Sequence, residues 1–123
     1  MHLVPAERAH RPAIDDHRVC DAIEALGGPE HLTAWAARFS LLGDRSRLAL
    51  LLCIRNAGPI SVTDLALATG INATTASQAL RLLRATGAVT TAREGRIIRY
   101  QLADETLHTL LATASPTQVP SSD

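Results

Sequence analysis

Short polar side chains and one arginine recur between positions 74 and 81 of the chain. At helical spacing they share the face opposite an apolar stripe, and they are Thr74, Thr75, Ser77, Gln78 and Arg81. In the DNA major groove glutamine pairs with adenine, arginine with guanine, and a threonine methyl contacts thymine. This face therefore predicts contacts to base edges; the alternative is a polar helix face that merely meets solvent.

A basic segment follows this stretch and carries three further arginines, Arg93, Arg96 and Arg99. Residues 89–93 and 97–102 resemble exposed strands, and Gly95 at the turn between them can adopt the positive φ of a tight hairpin. Arginines on such a ribbon can neutralise phosphate or enter a minor groove. The segment predicts a two-stranded β wing that contacts DNA.

Four other side chains could bind a metal ion. His17 and Cys20 share a face of the first expected helix, and Asp104 and His108 share a face of the last. If these helices meet across a dimer, the mixed N, O and S ligands would suit Ni²⁺, Co²⁺ or Zn²⁺. In the alternative readings Cys20 is a small core residue or a redox-sensing thiol, and His108 is an ordinary surface residue.

No catalytic arrangement is evident in the sequence. It has no Ser/His/Asp or Cys/His arrangement in a plausible cleft context, no glycine-rich phosphate loop and no paired-carboxylate motif. We therefore expect the chain not to be an enzyme.

The polar face needs a helix-turn-helix to position it. Ser61 can cap a short helix, Gly70 can end it, and Asn72 can cap the next helix, which runs to about Thr86. A short turn with glycine between two helices is typical of this motif. The side chains expected to face the core are Ala76, Ala79, Leu80, Leu82 and Leu83.

Three helices are expected before the motif and one after it, so the fold class is mainly α. Their approximate ranges are residues 15–26, 29–42, 44–56 and 104–114, and Ile60 is expected to add a short strand beside the wing. The third helix is apolar nearly all round, which predicts a central position. The expected buried face of the second helix is Leu32, Trp35, Ala36, Phe39 and Leu42.

The first and last helices carry apolar stripes that we expect to remain after the core is closed. We predict that these stripes pack across a two-fold axis, which would place two recognition helices about one DNA turn, roughly 34 Å, apart. The expected organisation is a flexible arm (residues 1–14), one winged helix-turn-helix and dimerisation domain (residues 15–114) and a disordered tail (residues 115–123).

Charge is unevenly distributed along a chain of 123 residues with net charge zero. Residues 73–102 hold five arginines and one acid, whereas residues 1–44 hold four arginines and seven acids. The basic part coincides with the expected DNA-binding motif. No apolar run is long enough to span a bilayer and the start is unlike a signal peptide, so we expect a cytoplasmic protein without membrane contact.

Three motifs in this order resemble the ArsR/SmtB family of bacterial repressors. They are Leu42-Gly43-Asp44-Arg45-Ser46-Arg47-Leu48, then Ala76-Ser77-Gln78-Ala79-Leu80 followed by Leu83 and Gly87-Ala88-Val89, and finally Glu94-Gly95-Arg96-Ile97-Ile98-Arg99-Tyr100-Gln101-Leu102. The resemblance covers about residues 39–107. It implies a homodimeric winged-helix repressor that binds a palindromic operator and is controlled by a transition metal or a thiol-reactive signal.

The chain departs from that family at several of its recognisable positions. Gln78 and Ala79 replace the histidine that often follows the recognition-helix serine, so the operator sequence cannot be transferred. The thiols of the Cys-x-Cys-Asp-Leu box are absent, and Thr106 replaces the first histidine of the last-helix site. With few thiols, nickel or zinc is the expected inducer. The alternative is a DNA-binding subunit whose signal is sensed by a partner protein.

Overall fold

The computed structural model of the protein describes residues 4–8 and 11–116. Part of the predicted arm and most of the predicted tail lie outside these residues. A 3-10 turn at Ala6–Arg8 precedes six helices and three strands, which are α1 Asp16–Leu26, α2 Pro29–Leu42, α3 Arg45–Ala57, β1 Ile60–Ser61, α4 Val62–Thr69, α5 Ala73–Ala85, β2 Val89–Glu94, β3 Ile97–Leu102 and α6 Glu105–Ala114.

The chain divides into two compact units, Met1–Phe39 and Ser40–Asp123. The first unit contains α1 and most of α2. The second contains the remaining helices and the sheet, and the described hydrophobic core belongs to it.

Side-chain caps set the starts of the helices where the sequence predicted them. The carboxylate of Asp15 accepts a hydrogen bond from Arg18 N at 3.2 Å, and that of Asp44 accepts one from Arg47 N at 3.0 Å. Each satisfies an amide in the first turn that has no partner within the helix. Asp15 and Asp44 thereby fix the first turns of α1 and α3.

The helix α3 lies at the centre of the second unit, as its composition predicted. Leu50, Leu51 and Ile54 are buried in a core to which α4, α5, β2 and α6 also contribute. In α6, Leu107 and Leu111 are fully buried in this same core. These two residues of the predicted α6 stripe therefore close the chain's own core, whereas Leu110 of the same stripe is only partly buried.

Of the expected buried face of α2, Leu42 packs against the core, but the part nearer the start of the helix is largely exposed in the single chain. Leu32 is 51% exposed and Phe39 is 58% exposed, while Trp35 is half-buried. The ring centroids of Trp35 and Phe39 lie 5.9 Å apart, so these side chains contact one another along the helix. Apolar spacing identified an apolar face correctly, but spacing alone could not tell whether this chain covers it.

A second correction concerns α5. Ala76, Leu80 and Leu83 are fully buried, as predicted, whereas Leu82 is 44% exposed. Leu82 lies one residue before Leu83 and is therefore turned about 100° away from it around the helix. This places Leu82 at the margin of the apolar stripe and outside the core.

The three strands form one antiparallel sheet in the order β1-β3-β2. Ile60 pairs with Tyr100, which confirms the short strand expected beside the wing. The strands β2 and β3 are joined by a two-residue turn in which Gly95 has φ +62°. Together with α4 and α5, this hairpin makes the fold a winged helix-turn-helix. In the part of the chain that the structure describes, no helix has the length and apolar character needed to cross a membrane.

Candidate nucleic-acid interface

Hydrogen bonds fix the turn between α4 and α5. Gly70 has φ +74°, and its amide donates to the Ala66 oxygen at 2.9 Å. The Thr69 hydroxyl donates to the Leu65 oxygen at 2.7 Å and accepts from Ile71 N at 3.2 Å. Thr69 therefore joins the last turn of α4 to the connecting segment. This role of Thr69 was not predicted from the sequence, although threonine hydroxyls often bond nearby backbone groups.

The start of α5 is fixed by Asn72, whose Oδ1 accepts a hydrogen bond from Thr75 N at 2.8 Å. This cap confirms the prediction and satisfies one of the first free amides of the helix. Since Asn72 sits only two residues beyond Gly70, the cap and the glycine together determine the direction in which α5 leaves the turn.

One face of α5 is polar and exposed. The five side chains predicted to contact bases are all exposed, namely Thr74, Thr75, Ser77, Gln78 and Arg81. With Ala73, four of them line a shallow, open depression. The helix contains no acidic residue, so this face offers hydroxyl, amide and guanidinium groups without a carboxylate that would repel phosphate.

The three arginines of the wing occupy different environments. Arg93 and Arg96 are exposed, whereas the side chain of Arg99 is 34% exposed and its Nε lies 3.3 Å from Glu94 Oε2. Arg99 pairs with Ala92 across the hairpin, while Arg93 pairs with Ile98. Because neighbouring pairs alternate in direction, Arg93 and Arg99 project from opposite faces of the ribbon. The three arginines were expected to act together on the wing, and the contact of Arg99 with Glu94 was not predicted.

An open groove separates the wing from the start of α4. It is lined by Ser61, Val62, Thr63 and Asp64 on one side and by Arg96, Ile97, Ile98, Arg99 and Tyr100 on the other. Two of the three predicted wing arginines therefore share one groove, and Arg93 does not line it.

The predicted metal ligands are distributed over both units. His17 is exposed and Cys20 is half-buried on α1, while His108 is exposed on α6. Asp104 Oδ1 accepts hydrogen bonds from Thr106 N at 2.9 Å and Leu107 N at 3.3 Å, so this carboxylate caps α6. Among the described residues of a single chain, no group of three or more His, Cys, Asp or Glu side chains could hold a metal ion.

Comparison with known proteins places this geometry among transcriptional regulators. Residues 44–96 match the model of the MarR family. The chain is also 43% identical over 79 residues to the HTH-type transcriptional regulator NmtR of Mycobacterium tuberculosis, an alignment covering 64% of this chain and 65% of NmtR. The chain thus spans slightly less than two thirds of the length of this relative.

Two solved structures are similar in sequence as well as in fold. The first is the homodimeric winged helix-turn-helix DNA-binding domain of Mb0332 from Mycobacterium bovis, described as a possible ArsR-family regulator. It has a TM-score of 0.56 and 32% identity, covering 72% of this chain and 84% of that one. The cadmium sensor CMTR of M. tuberculosis has a TM-score of 0.56 and 29% identity, covering 72% of this chain and 93% of that one. These are regulators, in agreement with the expectation that the chain is not an enzyme.

Proposed function

We propose that this chain is a bacterial transcriptional regulator of the ArsR/SmtB type that binds palindromic operator DNA as a homodimer and acts as a repressor in the cytoplasm. The observation that carries the proposal is the acid-free polar face of α5, which the buried side chains of Ala76, Leu80 and Leu83 hold outward. The similarity to NmtR and to the Mb0332 domain supports it. The MarR family model supports the wider class of winged-helix regulators.

In this proposal α5 lies in the major groove. Thr74, Thr75, Ser77 and Gln78 contact base edges, and Arg81 contacts guanine or a phosphate. The wing lies beside the adjacent backbone, where Arg93, Arg96 and Arg99 are available to phosphate oxygens. The contacts of α5 give sequence preference, and those of the wing give affinity that is largely independent of sequence.

A dimer is needed to present two copies of α5 to two half-sites. We place an important part of its interface on α2, because the apolar side chains of Leu32 and Phe39 are exposed beside the half-buried Trp35. A contiguous apolar surface of this kind marks an interaction site in soluble proteins. The homodimeric state of the Mb0332 domain supports a second copy of this chain as the partner. Further candidates are α1 and the exposed side of α6 that carries His108, whereas Leu107 and Leu111 of α6 are buried in the chain's own core.

The inducer in this proposal is a divalent transition metal, nickel or zinc. His17, Cys20, Asp104 and His108 would hold it, each subunit supplying part of the set. The donor types suit these ions, and the description of CMTR as a cadmium sensor supports metal control in a protein of this fold. A metal that binds one arrangement of the subunits better than another would shift the population that can bind DNA.

A second candidate keeps DNA binding and assigns the sensing of the signal to a partner protein. It is favoured by the absence of a three-ligand cluster within the described part of one chain. A redox response through Cys20 is the remaining alternative, and that thiol is only half-buried.

The decisive experiment is a fluorescence-anisotropy titration of the protein against the DNA upstream of its own gene, with and without Ni²⁺ or Zn²⁺. We expect saturable binding that competitor DNA of unrelated sequence does not abolish, and a change in affinity with one of the metals. Binding that is equally strong to every duplex would contradict specific regulation. Unchanged operator affinity with both metals would exclude the metal as inducer and favour a signal sensed by a partner protein. A pull-down with and without metal would then test for that partner. An oxidant response retained in full by Cys20→Ala would exclude the redox alternative.

A further inference from the structure

Glu94 is the one acidic residue between positions 73 and 102, and it stands at the end of β2 beside the turn of the wing. In the hairpin it pairs with Ile97, so Arg99 lies two residues further along β3 on the same face. Long side chains at such diagonal positions can reach one another. The 3.3 Å separation of Arg99 Nε and Glu94 Oε2 follows from this register.

The contact between the two side chains is weak. The Glu94 side chain is 79% exposed, so water solvates its carboxylate and screens the pair. Arg99 Nε is itself buried and finds no hydrogen-bond acceptor among the residues that the structure describes. The pair is therefore an electrostatic contact without a well-directed hydrogen bond, and little free energy would be needed to separate it.

The geometry points to Glu94 as a residue that limits the affinity of the wing by competing with a DNA phosphate for Arg99. This inference rests on the proposed DNA-binding function and names the contact that Glu94 controls. A phosphate accepts two parallel hydrogen bonds from a guanidinium, which is a stronger arrangement than the bent contact to Glu94. When DNA binds, phosphate replaces Glu94, and the displaced carboxylate stays close enough to repel the backbone.

The surroundings of Arg99 indicate where that phosphate would lie. Arg99 pairs with Ser61 of β1 on the side away from β2. It lines the groove between the wing and the start of α4 together with Arg96. A phosphate oxygen in this groove would meet two guanidinium groups, Arg96 from the turn and Arg99 from the strand. Asp64 also lines the groove, so the site is not uniformly basic.

The test compares four forms of the full-length protein, namely wild type, Glu94→Gln, Arg99→Gln and the double variant, on a duplex without the operator. Anisotropy titrations across about 0.05–0.3 M salt give both affinity and its salt dependence. Glu94→Gln should bind about three- to eightfold more tightly at about 0.1 M salt, and its log–log salt slope should steepen by up to about 0.9, because no carboxylate then offsets the charge of Arg99 at the phosphate. In the Arg99→Gln background most of this gain should disappear.

A matched control is Glu105→Gln, which removes an exposed acid from α6 and should leave both quantities unchanged. Melting curves of all variants establish that each is folded. An unchanged affinity and slope for Glu94→Gln would overturn the inference and leave the proposed function standing. An equal gain with Arg99 absent would also overturn it, since Glu94 would then act by general repulsion. Failure of the wild-type protein to bind any duplex would overturn the proposed function as well.

Discussion

Arg55 on α3 donates a hydrogen bond from Nε to the backbone oxygen of His108 on α6, over 3.1 Å. Its Nη1 lies 3.4 Å from Ser115 Oγ, just beyond the end of the same helix. One guanidinium therefore joins the central helix to the last helix at two points. His108, a predicted metal ligand, is thus carried on a helix that is tied to the core of the DNA-binding unit.

Replacing Arg55 by glutamine should loosen α6. We expect the free energy of unfolding to fall by about 1 kcal/mol, because two partly exposed hydrogen bonds to a charged group are lost. Denaturant unfolding followed by circular dichroism measures this change. Arg45→Gln, at the exposed start of α3, is the control and should have a much smaller effect. Equal effects of the two variants would show that the Arg55 contacts do not matter.

The exposed face of α5 should determine the sequence preference for DNA. We expect Gln78→Ala to lower affinity for the operator by about tenfold and to reduce discrimination at one base pair, since a good bidentate contact contributes about 1–3 kcal/mol. Competition titrations against operators with single base changes measure both effects. Gln101→Ala, an exposed glutamine on β3, should change neither. A Gln78 variant with unaltered discrimination would place base recognition elsewhere.

The Thr69 hydroxyl should stabilise the fold and help to fix the angle between α4 and α5. Thr69→Val keeps the shape of the side chain and removes both hydrogen bonds, so we expect a loss of about 1–2 kcal/mol in unfolding free energy. Thermal or denaturant unfolding measures the loss, and a titration with DNA should show weaker binding. The matched variant Thr109→Val removes a single hydroxyl bond to Glu105 O on an exposed helix face and should be nearly neutral. Similar losses of unfolding free energy in the two variants would show that the Thr69 hydrogen bonds have no special role in the turn.

The apolar face of α2 should hold the dimer together. Phe39→Glu places a charge on that face, and we expect it to shift the protein to the monomer in sedimentation velocity and to lower operator affinity by at least about tenfold, because only one half-site can then be held. Leu67→Glu is the control, since Leu67 is also an exposed apolar residue but lies on α4. A Phe39→Glu protein that remained dimeric would contradict an interface on α2 and favour one on α1.

Local chemistry explains why so much of the second unit could be predicted from the sequence. Ser61, Gly70 and Asn72 act on amides and carbonyls within four residues of themselves, and each takes its predicted role. The burial of Ala76, Leu80 and Leu83 followed from helical spacing in the same way.

Features that depend on distant parts of the chain were not predictable in this manner. Both α6 and α2 carry apolar residues at helical spacing, yet Leu107 and Leu111 of α6 are buried whereas Leu32 and Phe39 of α2 are exposed. What covers an apolar face depends on where other elements pack. The pairing of Glu94 with Arg99 depends on strand register, which the hairpin turn sets only once the strands are aligned.

The opposite directions of Arg93 and Arg99 have a mechanical consequence for DNA binding. A ribbon with a cation on each side cannot lie flat on a duplex and use both. It would instead insert edge-on into a groove, with the Gly95 turn entering first and one sugar–phosphate strand on each side of the hairpin. Duplexes whose minor-groove width accommodates the ribbon would then be favoured, so the wing would select DNA by its sequence-dependent shape without contacting the bases.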